Sequence, residues 1–221
     1  MLNLLKFWYL NFIILREISW TCYNLIRVYY CYYEKISNNE PIIIDNIPYE
    51  IPNGWTICRL ESIADIYTGN SINETEKVNK YTGLNAGYNY IATKDISYQH
   101  TINYSNGIKI PNDLHKFKKA YFGDVLLCIE GGNAGKKIAL LEETVCFVNK
   151  LCAFHSLGIN NKFLYYFLQS PQFTNLFKQN KSGLIGGVSI NTIKSLLVLV
   201  PPIREQEIII EKIESVFNIL N

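Results

Sequence analysis

The most chemically suggestive stretch in this 221-residue chain is Glu130-Gly131-Gly132-Asn133-Ala134-Gly135-Lys136-Lys137. A phosphate-cradling loop needs a glycine, four residues, Gly-Lys, and then a Ser or Thr whose hydroxyl meets magnesium. Here Glu130 stands where the first glycine belongs and Lys137 replaces the hydroxyl. Both departures strike the groups that bind phosphate and metal, so nucleotide hydrolysis is not expected. The three histidines, His100, His115 and His155, have no carboxylate partner by motif, and no serine lies in a G-x-S-x-G turn. Methyl transfer would need a cofactor loop and an Asn-Pro-Pro-aromatic motif, and neither is present. Cys146, Cys152 and His155 offer three potential zinc ligands. Their spacing fits no common zinc motif and they fall along one expected strand region, so packing in a core is the expected role. No catalytic residue and no metal site is expected.

The remaining reactive side chains are cationic or thiol. His115-Lys116-Phe117-Lys118-Lys119 is the densest basic cluster, with Lys109 just upstream and Lys136-Lys137 beyond a glycine turn. Net charge is only +2, so any polyanion-binding surface must be local rather than a uniform basic coat. Six cysteines include no C-x-x-C pair, and several lie in apolar runs such as Leu126-Leu127-Cys128-Ile129. They read as packed cytosolic thiols rather than a disulfide framework.

The elements that position these groups follow from periodicity and punctuation. Hydrophobic content of 48% against 18% charged is enough for a real core. Residues 1–36 read as an aromatic-rich helical segment. Its longest uncharged stretch, Phe7–Leu15, is far short of the roughly 20 apolar residues that span a bilayer. A basic start and a small-residue cleavage site are lacking, which argues against a signal peptide. A membrane-surface helix within residues 1–33 is the alternative for this segment. Residues 37–53 form a linker, because Pro41, Pro48 and Pro52 each push the preceding residue to an extended form. A domain over 54–200 then opens with an extended stretch at Thr56–Leu60 and a short helix over Leu60–Ile66.

Further along, a strand is expected at Tyr90–Ala92 and a hairpin over His100–Ile110, with Asn106-Gly107 as its turn. Strands are also expected at Val125–Ile129 and Lys136–Leu141, with a strand pair between Val145 and Phe154. Phe163, Leu164, Phe167 and Leu168 have helical spacing, and Ser170-Pro171 starts a second helix with Ser as cap and Pro at its first position. Ser189 caps a short helical turn, and Leu196–Val200 is a buried strand ended by Pro201-Pro202. A final helix over 201–221 carries Ile209, Ile213, Val216 and Leu220 at coiled-coil steps. Spacing alone favours an ordinary amphipathic helix lying on its own domain. The fold class expected is α+β: a small, mixed or antiparallel, β-rich domain with packed helices, followed by a coiled-coil-like C-terminal helix.

Leu199-Val200-Pro201-Pro202-Ile203-Arg204-Glu205-Gln206-Glu207-Ile208-Ile209 resembles the strand–PP–x–x–E–Q–x–x–I junction of type I restriction–modification specificity subunits. Ile51-Pro52-Asn53-Gly54-Trp55, followed by Arg59-Leu60-Glu61-Ser62-Ile63-Ala64, is similar to that family's domain opening. Gly69, Tyr90–Ile96, Gly123-Asp124-Val125-Leu126, Gly135-Lys136 and the aromatic helix Phe163–Leu168 follow in family order, and the similarity covers about residues 47–221. The resemblance implies a target-recognition domain that reads one half of a split double-stranded DNA target. Members typically carry two such domains and two long helices that hold them apart. One domain and one helix ending at Asn221 therefore imply a half-subunit, pairing with a second copy or a second specificity half, or a non-functional fragment of such a subunit.

The resemblance also implies a cytoplasmic, non-enzymatic protein that partners a modification (methyltransferase) subunit and a restriction subunit and expects no membrane. S-adenosylmethionine, ATP and Mg2+ would belong to those partners, with no cofactor on this chain. For such a reader, Lys109, Lys116, Lys118 and Lys119 are candidate phosphate contacts, joined by Lys136 and Lys137. Thr93, Lys94, Gln99 and His100 carry groups suited to base edges. Ile209, Ile213, Val216 and Leu220 are the candidate helix-packing residues.

Overall fold

Val125-Leu126-Leu127-Cys128 is apolar at every position because both of its faces are covered. Val125 and Leu127 pack among helices, while Leu126 and Cys128 pack against a second sheet. Strand side chains alternate between faces, so an unbroken apolar run marks a layer buried on both sides. The computed structural model describes residues 24–28, 31–35, 42–44, 51–183 and 186–220. The chain forms two compact units, Met1–Ile47 and Pro48–Asn221.

The first unit contains β1 (Asn24–Val28), β2 (Cys31–Lys35) and β3 (Ile42–Ile44), paired antiparallel in that order. The helical reading of residues 1–36 is therefore corrected for 24–28 and 31–35. Their Tyr, Val and Ile content suits a pleated sheet better than a helix. The membrane-surface helix over residues 1–33 is corrected at the same strands, and the rest of both readings falls outside the described residues. The linker reading is corrected at Ile42–Ile44, where an extended stretch pairs as a strand.

The second unit runs through β4 (Thr56–Arg59), a 3-10 turn at Leu60–Ser62, β5 (Ala64–Thr68) and α1 (Glu74–Glu76), which widens into a looser turn over Lys77–Tyr81. It continues with β6 (Tyr88–Ile91), β7 (Lys109–Ile110), β8 (Lys119–Ala120), β9 (Val125–Cys128), β10 (Ile138–Leu140), β11 (Val145–Phe147) and β12 (Leu151–Ser156). Helices α2 (Asn161–Phe167), α3 (Pro171–Gln179) and α4 (Ile190–Ser195) follow, then β13 (Leu197–Val200) and α5 (Ile203–Leu220). One antiparallel sheet has the order β10-β9-β12-β5, and a mixed sheet has the order β7-β6-β11-β8. Between them lie Leu126, Ala139, Leu151, Ala153, Phe147 and Ile91. Helices α2–α4 cover the outer face of the first sheet through Leu164, Leu168, Phe173, Phe177 and Ile193. Tyr81, Ile108 and Phe117 close over the outer face of the second. The α+β class is as expected.

The caps read from sequence are in place. Ser170 Oγ accepts from Phe173 N, and Ser189 Oγ accepts from Thr192 N. Three local expectations are corrected. Leu60–Ile66 is one 3-10 turn and a strand, because Ala64 and Ile66 alternate with Asp65 in a paired β5. The hairpin over His100–Ile110 is replaced by β7 pairing with β6, while Ile96 and Ile102 form a separate bridge. The strands at Val145–Phe147 and Leu151–Ser156 exist but join different sheets.

The two motifs at the ends of this unit meet in space. β4 pairs antiparallel with β13, setting Thr56 against Val200. The Trp55 indole donates to Glu205 at 3.0 Å. Buried Gln206 donates from its amide to the Pro201 carbonyl at 2.9 Å and accepts from Asn160 N at 2.8 Å. The helix α5 therefore lies on α2, continued by buried Ile210, a Lys162–Glu214 ion pair at 2.7 Å and the Tyr166 and Phe217 rings at 6.3 Å. Ile209 and Ile213 are half-buried, Val216 is 53% exposed, and the Leu220 side chain is outside the described set.

Candidate nucleic-acid interface

The loop Ala92–Asn106 is built on a buried carboxylate. Asp95 Oδ2 accepts from Ala92 N at 2.8 Å and from Asn106 Nδ2 at 2.9 Å. Asn106 Nδ2 also donates to the Tyr90 carbonyl, and its Oδ1 accepts from Ile108 N. Thus Asn106 ties the loop base together where a simple hairpin turn was expected. Nearer the tip, Ser97 Oγ accepts from Gln99 N and Thr101 N. Tyr98 and Gln99 project into solvent, the tyrosine 61% exposed. His100 has φ 67°, a left-handed conformation that costs a non-glycine residue about 1–3 kcal/mol unless its surroundings hold it. Its Nδ1 lies 3.4 Å from the Tyr165 hydroxyl on α2, with the rings edge to face. Burial holds the His100 imidazole below its ordinary range, opposed by a hydrogen bond with Gln169.

The glycine-rich turn 130–137 joins two antiparallel strands, β9 and β10, rather than leading into a helix. It therefore lacks the helix N-terminus that a phosphate loop uses. Instead it grips the neighbouring loop. Lys137 is only 8% exposed. Its Nζ donates to the Thr93 carbonyl at 2.9 Å and lies 5.2 Å from the Tyr98 ring centroid. The Tyr98 hydroxyl donates to Asn133 Oδ1 at 2.7 Å. The ammonium of Lys137, expected as a phosphate contact, is thus engaged by the neighbouring loop. Lys136 remains exposed at the same turn.

The remaining lysines surround the second sheet. Lys116 and Lys118 are exposed, and Asn70 secures their backbone by accepting from Lys118 N and donating to the Lys116 carbonyl. Lys119 is half-buried, with Nζ 4.2 Å from the Tyr88 ring centroid, and Lys109 Nζ donates to the Asn85 carbonyl at 3.1 Å. Lys94 is exposed. Sequence reasoning missed the carboxylates among them. Glu76 accepts from Lys80 at 3.4 Å and stands 4.0 Å from Lys116. The Glu74 carboxyl is lowered by its hydrogen bond and charge pairing with Lys77, and further by Lys94. A basic rim interrupted by two carboxylates is weaker toward phosphate than the lysines alone. Tyr98 and Asn133 were also missed, since nothing in their spacing links residues so far apart in the chain.

Cys146 and Cys152 lie in different layers, the first packed with Tyr90 and the second with the helices. Burial pushes their thiols up, to about 11 for Cys146 and about 12 for Cys152. His155 Nδ1 is 2.7 Å from buried Asp124 Oδ1, and Asp124 Oδ2 accepts from Tyr121 N. These residues hold the β8–β9 turn rather than converge on an ion. Among the described residues, no helix is long and apolar enough to cross a membrane.

A rigid two-sheet domain, displaying a braced polar loop and flanked by lysines, has the makings of a polynucleotide-recognition module. The model of the type I restriction modification DNA specificity domain matches residues 52–221, and the chain belongs to that family of DNA-recognition, non-catalytic components. It is 25% identical, over an alignment of 191 residues covering 82% of this chain, to the type I restriction enzyme EcoAI specificity subunit of Escherichia coli. That alignment covers 31% of the relative, so the chain spans about a third of its length. Among solved structures, it is similar to the HsdS subunit from Thermoanaerobacter tengcongensis, with TM-score 0.59, 18% identity, and coverage of 79% of this chain and 40% of that one. A chain from a structure of a type I R-M system gives TM-score 0.60 at 20% identity, covering 78% of this chain and 40% of that one. The S subunit from M. genitalium gives 0.51 at 21% identity, with 78% and 41% covered. These likenesses establish the fold.

Proposed function

We propose that this chain reads one half of a split double-stranded DNA target for a cytoplasmic type I restriction–modification complex. It directs partner modification and restriction subunits, which carry the S-adenosylmethionine, ATP and Mg2+ chemistry. The observation that carries this reading is the match of residues 52–221 to a DNA specificity domain. The braced loop Ala92–Asn106 supports it by presenting exposed Lys94 and Gln99 beside Thr93 and His100. An amide can address adenine bidentately and an ammonium can address guanine in the major groove. Lys116, Lys118 and Lys136, with the more engaged Lys109 and Lys119, supply phosphate contacts that set register. In α5, Ile209, Ile213, Val216 and Leu220 form the stripe offered to a second specificity half or a modification subunit.

The test is selection from random-sequence duplexes by the full chain together with the modification subunit of its system. Enrichment of one short motif is the expected outcome. Recovery of a pool no different from the input would refute target reading by this chain.

A further inference from the structure

The glycine-rich turn and the projecting loop come from distant parts of the chain, yet they are fastened to each other at two points. Buried Lys137 donates to the Thr93 carbonyl at 2.9 Å, and the Tyr98 hydroxyl donates to Asn133 at 2.7 Å. Tyr98 lies across the same ammonium, 5.2 Å from ring centroid to Nζ. A lysine with 8% of its surface exposed is poorly placed to neutralise a phosphate. Its charge is instead directed at a backbone carbonyl, and a charge-assisted bond of this kind is among the stronger ones a protein makes. Thr93 immediately precedes Lys94, and Tyr98 immediately precedes Gln99. The two fastenings thus grip the backbone next to the side chains proposed to meet base edges. A loop held in its bound shape before DNA arrives loses less conformational freedom on binding. Misplacement of a base-reading group also forfeits geometry that a phosphate contact tolerates losing.

Resting on the target-reading function above, we propose that Lys137 is a positioning residue for sequence choice. Together with Asn133 and Tyr98, it clasps the loop Ala92–Asn106 so that Lys94 and Gln99 are presented in one fixed geometry. The clasp gives the Glu130–Lys137 turn a role in discrimination without any contact of its own to DNA.

Two measurements separate this from a phosphate contact, both on the full chain with its modification subunit and the duplex that the wild type enriches. Lys137→Met keeps the stem and removes the charge. The expected result is a fall of at least tenfold in the ratio of affinities for the enriched and scrambled duplexes, with the slope of log affinity against log salt unchanged. A phosphate contact predicts the reverse: a slope shallower by about 0.9 and an unchanged ratio, the behaviour expected of exposed Lys136→Met. That reverse result for Lys137→Met would overturn the proposal, as would no change in either quantity.

Should Lys137→Met fail to fold, Tyr98→Phe tests the same clasp at an exposed side chain by removing the hydroxyl that bonds Asn133, with the same signature expected and the same outcomes overturning it. Hydrogen exchange without DNA provides the second measurement. The amides of Thr101 and Asn103, bonded within the loop, should exchange faster in the variants. Unaltered exchange refutes the clasp itself. Faster exchange with an unaltered affinity ratio refutes its role in sequence choice. A wild-type chain that enriches no duplex refutes the target-reading function, and the positioning role falls with it.

Discussion

Gln206 is the side chain on which the domain's two ends converge. Its amide and carbonyl each have one partner, Pro201 O and Asn160 N. Gln206→Ala leaves a buried carbonyl and a backbone donor without their side-chain partner, so a loss of about 2 kcal/mol is expected in urea unfolding. An unchanged midpoint would refute the bridge. His100 makes a different prediction. Burial lowers its pKa in the folded state, so the unfolded chain binds the proton more readily. The contribution is complete above the unfolded value of about 6.5 and is lost as pH falls through the lower folded value. His100→Asn tolerates positive φ and removes this titration. Its stability should vary less than that of the wild type as pH falls below neutrality. Parallel pH profiles for the two proteins would contradict the assignment.

At the scale of elements, close approach rather than propensity sets the key constraints. A Cβ on Gly69 would lie 1.9 Å from the Phe147 carbonyl oxygen, although Gly69 has no left-handed backbone. Gly69→Ala must therefore push β5 and β11 apart, costing about 3 kcal/mol, readable as a lowered thermal midpoint. Much of the local architecture was legible in the sequence. Ser170-Pro171 and Ser189 signalled helices through capping chemistry, and the apolar run at Val125 signalled a strand. What escaped depended on partners distant in sequence. Leu60, Ile63 and Ala64 satisfy helical spacing, while Ala64 and Ile66 satisfy strand alternation, and only pairing with β12 decides between them. Asn106-Gly107 has the composition of a tight hairpin, but the Asn106 amide is engaged by Asp95 and Tyr90. The candidate loop was visible as a cluster of polar side chains. Its fastening by Lys137 was not, because a lysine in sequence carries no mark of burial.

For the whole molecule, a net charge of +2 means that DNA affinity must come from a few local cations. Replacing Lys109, Lys116, Lys118 and Lys136 together by Gln should flatten the salt slope by roughly 3 to 4 units, measured by titration at several salt concentrations. An unaltered slope would place the phosphate surface elsewhere. Replacing Ile213 and Val216 by Asp should dissociate the proposed helix-mediated assembly. Sedimentation velocity reads this directly, and an unchanged profile would refute that stripe as the interface. The pairing of β4 with β13 bears on how the protein is made. Strand β4 leaves the ribosome first but has no partner until Val200 emerges, about 140 residues later, a wait of roughly 7 to 30 s at ordinary elongation rates. Throughout that interval the β4 backbone lacks its ladder partner on a nascent chain, so slowing or stalling translation lengthens the domain's exposure to aggregation and to chaperones.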